Sequence, residues 1–163
     1  MHSTTFAAAA ATLVASAAAV DTIRIINQCD KPYYGWAIHN GDRDNTDRIG
    51  KLTDYESRFE KGTNAFTFTT SDNGKDAPEH AGVWYKLEDD KLTFNGEMGD
   101  ESDIDSVLID VDGYDGRDCR GIKLNGGEEA ENTDSVCSKD TSITVTLCGD
   151  HFGESAQPSA SAQ

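Results

Sequence analysis

Thirty acids against fourteen Lys and Arg make carboxylates the first place to look for chemistry in these 163 residues. They are densest in Asp100–Arg120, DESDIDSVLIDVDGYDGRDCR, where Asp110, Asp112, Asp115 and Asp118 crowd a glycine-containing turn just before Cys119. Calcium is held by several carboxylate and carbonyl oxygens gathered on a flexible loop. An EF-hand loop needs acids at its first, third and fifth positions, Gly at the sixth and Glu at the twelfth. Counted from Asp110, Tyr114 falls on the fifth position and Asp115 on the sixth, so the pattern fails. The four aspartates are a candidate binding loop without a defined ligand, and a solvated acidic turn is the plainer reading. Asn40–Arg48, NGDRDNTDR, is a second acidic loop, also without the EF-hand glycine.

Two carboxylates facing each other across a cleft hydrolyse glycosides, at ~5–5.5 Å with retention or ~6.5–9.5 Å with inversion. Nothing in the sequence marks one pair among the acids as buried. There is no Gly-x-Ser-x-Gly elbow and no Cys-x-x-Cys, and His39, His80 and His151 are scattered. A nucleophile elbow and a structural zinc site are therefore not expected. No catalytic residue, metal or cofactor is assigned. Tyr33, Tyr34, Trp36, Trp84 and Tyr85 would make a sugar-stacking platform if they shared an exposed face. Alternation instead puts Tyr34 and Trp36 with Ile38 on a core face and leaves Tyr33, beside Gly35, as the exposed ring. Most of these rings are expected in the core.

The elements that must carry these residues are strands. Helical periodicity is nearly absent, while period-two alternation recurs. Ile23/Ile25, Tyr34/Trp36/Ile38, Tyr55/Ser57/Phe59, Phe66/Phe68, Val83/Tyr85/Leu87, Leu92/Phe94, Val107/Ile109/Val111, Ile122/Leu124 and Ile143/Val145/Leu147 form the series. Between them stand Asn40-Gly41, Asn73-Gly74, Asn95-Gly96, Asn125-Gly126, Asp112-Gly113 and Asp115-Gly116. These pairs tolerate the positive φ of tight hairpin turns. Strands punctuated at this interval predict an antiparallel β-sandwich or barrel. Only Gly126–Val136 has room for a helical turn.

Residues 1–20 contain no Lys, Arg, Asp or Glu, run apolar from Phe6 to Val20 apart from Thr12 and Ser16, and end in Ala17-Ala18-Ala19 before Val20. This is the pattern of a secretory signal, too short to span a bilayer. The expected organisation is a signal at 1–20, one domain at 21–150 and a flexible polar tail at 151–163. The net charge of −16 lies wholly in the exported part. Such a surface repels phosphate backbones and anionic headgroups, so nucleic acid and membrane are not expected partners. Cys29, Cys119, Cys137 and Cys148 read as two disulfides in an exported chain, with three connectivities open. Cys29 closes the first strand and Cys148 the last, so a bridge between them would tie the chain ends together. Such a bridge would contribute ~4–5 kcal/mol by loop entropy and a Cys119–Cys137 bridge ~3 kcal/mol.

Three patches carry a resemblance: IINQCDKPYYGWAI near the start, VWYKLEDDKLTFNGE in the middle and TVTLC at the end. Across roughly Thr22–Cys148 the chain resembles the secreted fungal family of the Blastomyces yeast-phase-specific protein. That family is similar in fold to thaumatin-like β-sandwiches, whose first and last cysteines are bonded to each other. The resemblance thus implies the pairs Cys29–Cys148 and Cys119–Cys137. The cysteine-rich signature of longer thaumatin-like proteins is missing, and no ligand residue carries over. It implies a secreted protein associated with fungal growth form or host contact, without an established enzymatic activity. Taken with the residues, the expectation is an extracellular, monomeric, non-catalytic interaction protein, effector-like or cell-wall-associated, whose partner is a host protein or an extracellular polysaccharide. The alternative is a carbohydrate-binding or β-glucan-hydrolysing protein with an acidic cleft.

Overall fold

The computed structural model describes residues 21–72, 80–99, 102–112, 118–126 and 134–149, except for the side chains of residues 43–45. The leader, the tail, Asp115, the Asn73-Gly74 pair and residues 127–133 of the expected helical turn lie outside the described residues. Eleven strands follow in order: β1 Thr22–Asn27, β2 Tyr34–His39, β3 Asp42–Lys51, β4 Asp54–Arg58, β5 Gly62–Thr69, β6 Ala81–Glu88, β7 Lys91–Met98, β8 Ser106–Asp112, β9 Ile122–Asn125, β10 Ser135–Ser138 and β11 Ser142–Leu147. They form a five-stranded sheet, β4-β1-β11-β8-β9, and a six-stranded sheet, β10-β7-β6-β5-β2-β3. Every pairing among the described residues is antiparallel except β1 with β11, which run parallel with Ile23 opposite Ile143 and Asn27 opposite Leu147. The fold is thus an all-β sandwich.

Alternation builds the core. Ile23, Ile25, Val107, Ile109, Ile143, Val145 and Leu147 project from one sheet against Phe66, Phe68, Val83, Tyr85, Leu92 and Phe94 of the other, all nearly inaccessible. Cys29 and Cys148 lie just past the ends of the parallel pair and are joined (S–S 2.00 Å, Cα–Cα 5.1 Å). Cys119, ahead of β9, is joined to Cys137 in β10 (S–S 1.92 Å). The second bond connects the edges of the two sheets. On the same side Val136 N–H donates to the Asp118 carbonyl (3.0 Å), and Arg120 N–H donates to Ser135 Oγ (2.8 Å). That side of the sandwich is laced shut.

Four local expectations need correction. Tyr33 is 1% exposed, while Tyr34 and Trp36 are only partly buried. The inward phase of β2 is Tyr33, Gly35, Ala37, because Gly35 and Ala37 pair with the core residues Phe68 and Phe66. Small residues hold that phase so the chain can fold over them: a Cβ on Gly35 would come within 2.9 Å of Leu52 Cδ2. Asn95-Gly96 is no turn but the interior of β7, where a Cβ on Gly96 would lie 2.7 Å from Leu124 Cδ1 and 2.9 Å from Ile109 Cδ1. Gly96 is there for close sheet approach. The β6–β7 turn is Asp89-Asp90 instead, with φ of 46° and 64°; short Asp side chains visit this region at low cost. Asn40–Arg48 is not a loop: Asn40-Gly41 is the hairpin turn, at φ of 55° and 69°, and β3 begins at Asp42.

Candidate functional site

The side opposite the second disulfide stays open. There β3 and β4, the edge strands of the two sheets, are connected only by Leu52 and Thr53, and between them is a cleft of about 300 Å³. Its floor is aromatic: Phe66 lies between Tyr55 and Tyr85, with ring centroids 6.1 Å and 6.2 Å away. Phe59 meets Tyr85 edge-on at 4.8 Å. An apolar floor with a few convergent polar groups is the usual form of a ligand site. The larger depression at the tip of β6 and β7, about 660 Å³, is lined mainly by Lys61, Glu88, Asp89, Asp90 and Lys139, with Leu87 as its apolar member. It has no ring floor, so size alone does not make it the better-built site.

The polar wall is placed by strand parity. His39 continues the inward phase of β2, and Asp47 is opposite the inward Ala37. His39 Nδ1 is 3.0 Å from Glu60 Oε2, and Nε2 is 3.2 Å from Asp47 Oδ2. That Nε2 is buried and its angle to Asp47 makes no hydrogen bond. Glu60 is fixed by its backbone: its N–H donates to the Tyr85 hydroxyl (3.1 Å), and its carbonyl accepts from Asn64 Nδ2 (3.1 Å). A single imidazole therefore faces two carboxylates, so the acids converge on it rather than facing each other across the cleft. This wall escaped sequence reading because β3, DRDNTDRIGK, lacks alternation. A polar His39 in the phase of Gly35 and Ala37 was the available signal.

A second polar cluster pins the loops at one end of the sandwich. Asp103 accepts from Lys31 Nζ at Oδ2 (2.6 Å) and from the Tyr33 hydroxyl at Oδ1 (2.6 Å). His80 Nδ1 is 3.1 Å from the same Oδ1, and its Nε2 is 3.2 Å from Thr70 Oγ1. The hydrogen bonds from Lys31 and then Tyr33 hold the Asp103 carboxyl down at about 2. Burial, reinforced by Asp103, pushes the Tyr33 hydroxyl well up.

Of the four aspartates of the expected acidic loop, three lie among the described residues. Asp110 and Asp112 project from the outer face of β8 opposite Thr144 and Ser142, and Asp118 sits at the start of the second disulfide loop. Among the described residues no three His, Cys, Asp or Glu side chains converge as a metal site. Tyr34, Trp36 and Trp84 occupy the outer face of the six-stranded sheet.

The family model described as the Blastomyces yeast-phase-specific protein, Bys1, matches residues 10–149. The chain belongs to the Bys1 family. No curated protein matches the sequence significantly. The Bys1 chain is similar in structure to the protein elicitor MoHrip2 from Magnaporthe oryzae, at 13% identity and a TM-score of 0.57, covering 79% of this chain and 99% of that one. It is also similar to the thaumatin-like xylanase inhibitor TLXI, at 9% identity and a TM-score of 0.50, covering 78% and 99%. At these identities the likeness establishes a thaumatin-like fold for this Bys1 protein and nothing finer.

Proposed function

We propose that this chain is a small exported, non-catalytic interaction protein, effector-like or wall-associated, whose partner is an extracellular protein or polysaccharide. One observation carries the reading. Among the described residues, the carboxyls whose acidity the surroundings clearly change, Asp54, Asp90 and Asp103, are all pushed down by cationic partners, Arg24, Lys139 and Lys31. A glycosidase needs one carboxylic acid pushed up, so that it still holds a proton for the leaving group. In the cleft Asp47 and Glu60 converge on His39 rather than facing each other, which suits recognition better than glycoside cleavage by a carboxyl pair. Two disulfides suit an oxidising compartment. That the similar folds include a protein titled an elicitor and another titled a xylanase inhibitor is in keeping with binding as the activity.

The test is incubation of the purified mature protein with β-1,3-glucan and chitin, measuring both pelleting and reducing ends. Retention without new reducing ends, or no retention and no new ends, accords with binding to a polysaccharide or a protein respectively. New reducing ends that scale with protein concentration would overturn the proposal in favour of a hydrolase.

A further inference from the structure

The outer face of the six-stranded sheet carries aromatic rings that the core does not use. Trp36 on β2 and Trp84 on β6 stand at outward positions on either side of β5, whose intervening outward residues are Thr67 and Ala65. Tyr34 extends the row along β2, and Gly82 leaves the row beside Trp36 without a side chain. Ile38 and Thr67, 8% and 7% exposed, complete a floor of low relief. With strands ~4.8 Å apart and outward rows ~7 Å apart, the Trp36 and Trp84 backbones are ~12 Å apart.

On the inward side Phe59 and Phe66 both contact Tyr85, but among the described residues neither indole contacts another ring, and the buried Trp36 Nε1 has no hydrogen-bond partner there. All three outward rings are partly exposed. Clustered apolar surface of this kind marks an interaction site. The surrounding charges narrow its ligand. In a chain of net charge −16, the described groups flanking these rings balance: Arg48, Lys51, Lys86 and Lys91 against Asp72, Glu88, Glu97 and Asp134, with Arg48–Asp72 and Lys86–Glu88 paired. Among the described residues such a face has no excess charge for an ionic ligand, and its low relief suits a flat one.

We infer that this face docks an uncharged, extended β-1,4-linked glycan ribbon, with Trp36 and Trp84 stacking on pyranose rings two to three units apart. The inference rests on the binding reading above and names its polysaccharide class and its surface, separate from the cleft. Indole is the aromatic best suited to this, since its large ring covers the apolar side of a pyranose.

Trp36 and Trp84 are the only two tryptophans in the chain, so intrinsic fluorescence reports this face alone. Titration of the intact mature protein with cellohexaose should shift and saturate the emission, and insoluble cellulose should retain the protein. Trp36→Ala and Trp84→Ala should each weaken retention at least tenfold while circular dichroism and the melting midpoint stay close to the parent's. Arg24→Ala, on the outer face of the five-stranded sheet, should leave retention unchanged. Absence of both the emission change and retention would overturn the inference, as would unchanged retention in both tryptophan variants. Equal retention on a helical β-1,3-glucan would overturn the ribbon class. New reducing ends would instead sink the non-catalytic reading, leaving the platform in place.

Discussion

Replacing Cys29 and Cys148 together by alanine opens a loop of 119 residues, whereas replacing Cys119 and Cys137 opens one of 18. If a bridge acts by restricting the unfolded chain, the first change costs ~5 kcal/mol and the second ~3 kcal/mol at 25 °C. For a folded body of about 130 residues these losses correspond to drops of ~15–20 °C and ~10 °C in melting midpoint. The long bridge has a further role in the folded state. It clamps the ends of β1 and β11, a parallel pair formed by the two ends of the described chain, whose Ile23, Ile25, Ile143 and Val145 are fully buried. Terminal strands are where fraying starts, and fraying here would open the core itself. The assay is calorimetry of the parent and both double variants, with urea unfolding alongside. The m-value should rise most for Cys29→Ala/Cys148→Ala, because its unfolded chain is released most. Equal losses in the two variants, or a long-bridge variant melting within a few degrees of the parent, would refute the loop-closure argument.

Two further outcomes follow from single residues. The Asp103 carboxyl is held at about 2, below its ordinary value, so it contributes stability that is complete above about pH 5 and lost as pH falls through about 2. The urea midpoint of Asp103→Asn should thus lie below the parent's at pH 7 and converge with it near pH 2; a gap constant across that range would be inconsistent with an ionised Asp103 bonded to Lys31 and Tyr33. Gly96→Ala should cost ~1–3 kcal/mol, because its methyl would meet Leu124 and Ile109 inside a packed core. Gly82→Ala, whose nearest atom is Glu97 Oε1 at 3.5 Å, is the control and should change stability little. Equal effects in calorimetry would mean that the sheets are not in close contact at Gly96.

Strands that bury one face were legible because burial imposes alternation: Ile143/Val145/Leu147 and Phe66/Phe68 declare themselves, and both are core. The edges were not. Six of the ten residues of β3 are charged, as in an edge strand that discourages pairing with other chains, and so it carries no periodic signal. β10 is only Ser135–Ser138 and is held by its neighbours rather than by its own pattern. Turn signals were legible where the pair flanked two alternating runs, as at Asn40-Gly41. They misled at Asn95-Gly96, because Gly serves positive φ and close approach alike and only the partner sheet tells which. The resemblance carried the family and fold, whereas the cleft depends on which edges of the two sheets meet, a relation between strands distant in sequence.

The misread phase of β2 bears most on function. A run such as YYGWAI alternates equally well in either phase, and weighing side chains by size puts Tyr34 and Trp36 inside. The structure decides otherwise, because the inward side of β2 must admit Leu52 and Ile49 at the corner where β3 turns into β4, and only Gly35 and Ala37 leave that room. Steric demand at one corner thus expels two large rings to the surface, and the same phase carries His39 into the cleft. The aromatic face and the polar cleft wall are therefore two consequences of one packing constraint. A substitution that enlarged residue 35 would be expected to disturb both together.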